Sequence, residues 1–143
     1  MLKTEFEYSK TELGIKAHCI ITYKNQQFHG YATCHPDDYD FESEKTGQTI
    51  AEYRAEIMLI KHIRNNEIRP AYEAIRHLYL SLPTSKIHDP KSYESHRIRR
   101  EYYRLQNDLA AANNRLAQLK ENLKWYITEK ENFYQKIRKA RNK

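Results

Sequence analysis

Two pairs of metal-ligand residue types, His18-Cys19 and Cys34-His35, lie sixteen positions apart, and Asp37, Asp38 and Asp40 follow at once. Imidazole nitrogen and thiolate sulfur suit zinc, which in a closed site takes four ligands converging on one point. The carboxylates of Asp37, Asp38, Asp40, Glu42 and Glu44 suit a hard cation such as magnesium, the ion of phosphodiester chemistry. Whether either chemistry is available depends on the elements that place these side chains.

Residues alternate in polarity from Gly14 to Tyr23 and from Gln27 to Cys34, around a short turn at Lys24-Asn25-Gln26-Gln27. That pattern predicts an antiparallel β-hairpin. If Tyr23 pairs with Phe28, one face carries Ile15, Ala17, Cys19, Ile21, Tyr23, Phe28, Gly30, Ala32 and Cys34. The other carries Lys16, His18, Ile20, Thr22, His29, Tyr31, Thr33 and His35. The first face is almost wholly apolar and belongs in a core. Both cysteines then face inward and both histidines outward, so the four groups do not converge and no metal site is expected. Leu2 to Tyr8 supplies a third strand, with Ser9 to Leu13 as its turn.

The acidic run offers a metal-dependent nuclease through Asp37, Asp38 and Asp40, but such a site needs further acids and a general base, and none can be assigned. With three glycines in the chain there is no phosphate-cradling loop. The plainer reading is a turn whose acids precede a helix N-terminus. No catalytic residue and no cofactor is expected. Thr49 with Glu52 fits a capping box opening a helix to about Arg64, with Ile50, Tyr53, Ile57, Met58 and Ile60 available to cover the sheet. Asn65-Asn66 is expected to break it. A second helix follows over about 69–82, and Pro83 to Pro90 is the linker.

From Lys91 to Lys143 the chain runs 53 residues without Gly or Pro. Ile98, Tyr102, Leu105, Leu109, Ala112, Leu116, Leu119, Leu123, Tyr126, Phe133 and Ile137 recur alternately four and three apart, interrupted by Lys130. A spacing of about 3.5 keeps one stripe facing a partner helix and predicts a coiled coil. Tyr102, Leu105, Leu109, Leu116, Leu119, Leu123, Tyr126, Phe133 and Ile137 are thus candidate oligomerisation residues, with a homo-oligomer the expected assembly. Folding back on the helix at 69–82 is the alternative.

The fold class expected is α+β: an N-terminal antiparallel hairpin or three-stranded sheet packed by helices, then a long coiled-coil helix. Two parts follow, a small α+β domain at 1–85 and a basic helix at 86–143. Charge divides along the same line. Residues 1–85 hold 10 Lys/Arg against 12 Asp/Glu, and residues 86–143 hold 15 against 7. Basic clusters sit at Arg97, Arg99, Arg100 and Arg104 beside His96, and at Lys136, Arg138, Lys139, Arg141 and Lys143. They suit nucleic-acid phosphates or an acidic protein face, or else a solvated helix flank. Tyr103, off the heptad stripe and among arginines, is the candidate for a base or protein contact. No window approaches the roughly 20 apolar residues of a membrane span, and MLKTEFEYSK lacks a signal peptide's apolar region. A cytoplasmic protein with reduced cysteines is expected.

The segment Phe28 to Ala55 reads F-x-G-x-A-x-C-H-P-D-D-x-D-F and then T-G-x-x-I-A-E-x-R-A. Through Gly30, Ala32, Cys34, His35, Pro36, Asp38, Asp40, Gly47, Ala51, Arg54 and Ala55 it resembles a small double-stranded-RNA-binding-like module. Such modules occur in phages and mobile elements of Gram-positive bacteria. The resemblance covers about residues 13–64. Some modules of this kind form the N-terminal part of anti-CRISPR inhibitors of Cas9, ahead of a variable C-terminal part, a layout this chain shares. It implies a non-catalytic inhibitor in the host cytoplasm that binds Cas9 or its guide RNA and blocks assembly or target binding. Gly30 would let the helix approach the sheet, Ala32 would keep that contact shallow, and Gly47 would suit the turn before the helix. An RNA-binding version should carry a Lys/Arg cluster where its principal helix starts. Here Glu42, Glu44 and Glu52 surround Lys45, so nucleic-acid contact is expected from the basic helix instead. The second reading is a phage or plasmid accessory protein that binds nucleic acid directly through that helix.

Overall fold

The computed structural model describes residues 2–12, 14–34, 41–82 and 93–141. Three strands, β1 (Lys3–Thr11), β2 (Gly14–Tyr23) and β3 (Gln26–Cys34), form one antiparallel sheet in the order β1-β2-β3. Helix α1 (Phe41–His62) continues through a π-helical segment (Ile63–Ile68) into α2 (Arg69–Ser81), and α3 (Tyr93–Arg141) is the long helix. The architecture is α+β.

The hairpin turns on Lys24 and Asn25 alone, both at positive φ (48° and 64°). Two consecutive positive φ values are the signature of the two-residue turn whose twist matches that of paired strands. Gln26 therefore enters the ladder opposite Tyr23, and Phe28 pairs with Ile21 rather than with Tyr23 as expected. Each residue's partner moves by two positions, an even shift, so the two faces keep their membership. Strand β1 also runs further than expected, to Thr11 opposite Gly14. There the Thr11 hydroxyl donates to the Gly14 carbonyl at 2.9 Å. Gly14, at φ 137°, occupies a conformation that a side chain would oppose.

Residues 1–59 with 117–143 form one compact unit, and residues 60–116 form another. In the first, α1 lies against the apolar sheet face at Gly30. A β-carbon there would stand 2.0 Å from the Ala51 carbonyl oxygen and 2.4 Å from the Ala55 nitrogen. Ala51 and Ala55, one helical turn apart, are fully buried, as is Cys19 opposite Gly30. Ala17, Ile21, Ala32, Ile57 and Leu59 complete much of this core. The Arg54 guanidinium donates to the Tyr31 carbonyl at 2.6 Å, tying α1 to β3.

Helix α1 begins by Phe41, so Thr49 is not a cap; its hydroxyl donates to the Lys45 carbonyl within the helix. Gly47 likewise lies inside α1 and is buried. Nor do Asn65 and Asn66 break the helix. A π-turn absorbs them, with Asn65 accepting from Arg64 and Arg69, and the Asn66 amide bonded to His62.

Helix α3 meets partners on its own chain, at heptad positions and beside them. In the first unit Tyr53 packs against Tyr126 at 6.2 Å and Thr46 bonds the Tyr134 hydroxyl at 3.1 Å. In the second, Arg64 donates to Asn113, while Tyr102 stacks on Tyr72 and Tyr79. Ile98, Leu105, Leu116 and Leu119 are buried within the single chain, Leu119 at 1% exposure. Leu109, Leu123, Tyr126 and Ile137 are half-buried, and Phe133 is exposed. Among the described residues no helix is long and apolar enough to cross a membrane.

Because backbone atoms block the space at Gly30, Gly30→Ala must displace α1 from the sheet. The expected loss is about 1–3 kcal/mol, the range of overpacked cores, read from urea midpoints; a change below about 0.5 kcal/mol contradicts this packing. Burial, with the Glu52 and Glu56 carboxylates adding, pushes the Cys19 thiol from 9.0 up to about 11. The fold thus favours the neutral thiol. Its contribution to stability is full below pH 9 and is lost as pH rises toward 11. Wild type should lose more stability over that interval than Cys19→Ala, and parallel pH curves would contradict it.

Candidate nucleic-acid interface

Helix α3 opens with Glu94 in its first turn, where a carboxylate complements the positive end of the helix dipole. The basic run that follows divides by helical phase. At 3.6 residues per turn, Arg99, Arg100, Tyr103 and Asn107 share one stripe, roughly 100° wide, while Arg97, Glu101, Arg104 and Asp108 share the next. This division decides which cations are available.

Arg104 is committed within the helix. Its guanidinium bonds both oxygens of Glu101 and donates to Asp108 at 3.1 Å. The hydrogen bond from Arg104 holds the Glu101 carboxyl below its usual range, and the charges of Arg104 and Arg97 act in the same direction. Arg97 therefore lies in the field of Glu101. Of the expected cluster, Arg97, Arg99 and Arg100 make no ion pair among the described residues, and of these Arg99 and Arg100 lie on the stripe away from Glu101 and Asp108.

An open depression of about 560 Å³ runs along this stripe, lined by His96, Arg99, Arg100, Tyr103, Arg104 and Asn107. Tyr103 is 44% exposed, with the Arg99 guanidinium carbon 5.9 Å from its ring centre. Its position is braced from behind. Tyr79 and Tyr102 meet it edge-on at 6.1 and 5.3 Å, and Tyr79 and Tyr102 stack on each other at 4.5 Å. A hydrogen bond with Tyr103 raises the Tyr79 phenol above its usual value, and one with Tyr72 does the same for Tyr102, with burial adding at both. Four tyrosines thus lock α2 to α3 and leave one ring beside two arginines.

Comparison with protein-family models, with curated proteins and with solved structures finds no match. The chemistry of the surface stands on its own geometry.

The second basic cluster has a different setting. Lys136, Arg138, Lys139 and Arg141 are exposed at the end of α3, in the first compact unit. Arg138, Lys139 and Arg141 occupy the last turn, where cations complement the negative end of the helix. Arg138 and Arg141 are already engaged. The two clusters belong to different compact units.

The residues considered for metals are placed as follows. Cys19 is buried facing α1, and His18 stands on the opposite sheet face. His35 and the acids Asp37, Asp38 and Asp40 lie outside the described residues. Among the described residues no three His, Cys, Asp or Glu side chains form a metal-holding group.

The outward sheet face carries a cluster the sequence placed on one surface without singling out. His18 Nε2 and His29 Nδ1 are 2.7 Å apart, and Tyr31 stacks on His18 at 4.3 Å. Lys16 covers Tyr31 at 4.2 Å, and Glu7 lies 3.5 Å from His18 Nδ1. Alternation predicts the shared face, but the diagonal meeting of His18 with His29 depends on the register, which the turn sets.

Proposed function

We propose that this chain is a non-catalytic binding protein that holds the phosphate backbone of RNA through Arg99 and Arg100, with Tyr103 beside them. The observation that carries this reading is the division of the basic run. Two arginines without an ion pair among the described residues flank an exposed aromatic ring, while neighbouring Arg104 is neutralised in place. Cations paired with an aromatic platform are the usual chemistry of nucleic-acid contact. The sequence resemblance of residues 13–64 supports taking the target to be the guide RNA of a Cas9-type nucleoprotein. The chain would then act as a mobile-element inhibitor that blocks assembly or target binding. The effector's own basic channel competes for the same phosphates.

Binding of Cas9 guide RNA, measured by filter retention across a salt series, should weaken with a log–log slope of about −1.4, two contacts at about −0.7 each. A slope near zero would remove the phosphate reading. Excess protein added before target DNA should suppress cleavage by guide-loaded Cas9; full cleavage at excess would remove the Cas9 assignment and leave the RNA contact to be judged by the slope.

A further inference from the structure

The same surface, if it holds RNA as proposed above, is built for an unpaired strand rather than a duplex, although the sequence resemblance is to a duplex-binding module. The geometry points to this through three features: the width of the stripe, what borders it and the ring it presents. His96 to Asn107 is eleven helical steps, about 16.5 Å at 1.5 Å per residue. Along that line Arg99 and Arg100 stand in a single row, while Arg104, which also borders the depression, is paired with Glu101 and Asp108. A duplex offers two rows of phosphates, and duplex-binding modules of the resembled kind lie across about 16 base pairs and two minor grooves. One helical row cannot do this.

The border supplies no second row of net positive charge. Beside Arg100 the helix surface turns to Arg97, Glu101, Arg104 and Asp108, whose two positive and two negative charges balance, with Arg104 bonded to both carboxylates. Phosphates displaced to that side meet no net attraction. One backbone lies along Arg99 and Arg100 instead.

The ring supplies what only an unpaired base can use. Tyr103 is braced edge-on by Tyr79 and Tyr102, so its orientation is set before any ligand arrives. In a duplex the base faces are closed by their neighbours, whereas an unstacked base can lie on tyrosine. Asn107, one turn beyond Tyr103 in the same depression, adds a donor and an acceptor for a base edge. The Arg99 guanidinium stands over the Tyr103 ring, its carbon 5.9 Å from the ring centre, so a nucleotide bound at the ring has a cation beside it for its phosphate.

The experiment compares one 12-nucleotide RNA, single-stranded and annealed to its complement, against wild type, Tyr103→Ala and Tyr103→Phe. Single-stranded RNA should bind tighter than the duplex. Tyr103→Ala should weaken single-strand binding about 5- to 140-fold, the effect of one stacked base. It should leave the salt slope unchanged, because no phosphate contact is lost. Tyr103→Phe, which keeps the ring, should bind within about twofold of wild type; equal losses in Ala and Phe would contradict stacking. Duplex binding as tight as single-strand binding overturns the inference while leaving RNA binding intact. Failure of wild type to bind either RNA removes the underlying reading instead.

Discussion

A 49-residue helix with Ile98, Leu105, Leu116 and Leu119 on one stripe leaves a long apolar seam that water disfavours. The chain covers much of that seam itself. Tyr53 and Thr46 meet the helix in one compact unit, and Tyr72, Tyr79 and Arg64 meet it in the other. Once that stripe is turned inward, helical phase fixes every other residue of α3. Arg99, Arg100 and Tyr103 are directed outward because Leu105 and Ile98 are directed in. The binding surface is thus a consequence of the packing, with the tyrosine cluster at the boundary between them.

Within the sheet unit, a second constraint operates at backbone distance. Gly30 leaves room for the Ala51 carbonyl and the Ala55 amide, and the neighbouring small residues Ala17, Ala32 and Cys19 keep that interface shallow. Close packing there compensates for a modest apolar area. The same burial, with the Glu52 and Glu56 carboxylates adding, keeps Cys19 a neutral thiol.

Much of this was legible in the sequence, because alternation and helical periods report which side of an element is buried. Gly30 and Ala32 were read correctly as a close helix approach, and the two hairpin faces were assigned correctly despite a shifted register. The register itself was not legible, because the alternation is the same whether Tyr23 faces Phe28 or Gln26. Only the positive φ values of Lys24 and Asn25 decide it. Helix boundaries failed for a similar reason. Thr49, Gly47 and Asn65-Asn66 carry cap and breaker preferences worth about 1 kcal/mol each, which tertiary packing overrides.

For the binding surface, the arginine cluster and the exposed Tyr103 were visible, while its partition was not. Arg97, Arg99, Arg100 and Arg104 look equivalent in a linear string, and the i,i+3 and i,i+4 partners Glu101 and Asp108 separate them only in three dimensions. That partition is the central claim, and charge reversal tests it most directly. Single-stranded RNA affinity should be measured for Arg99→Glu/Arg100→Glu and for Arg97→Glu/Arg104→Glu, two variants with identical net charge. The account predicts that the first pair abolishes binding while the second weakens it only modestly. Equal losses in the two variants would show that net charge alone drives binding and would contradict the assignment of a specific stripe.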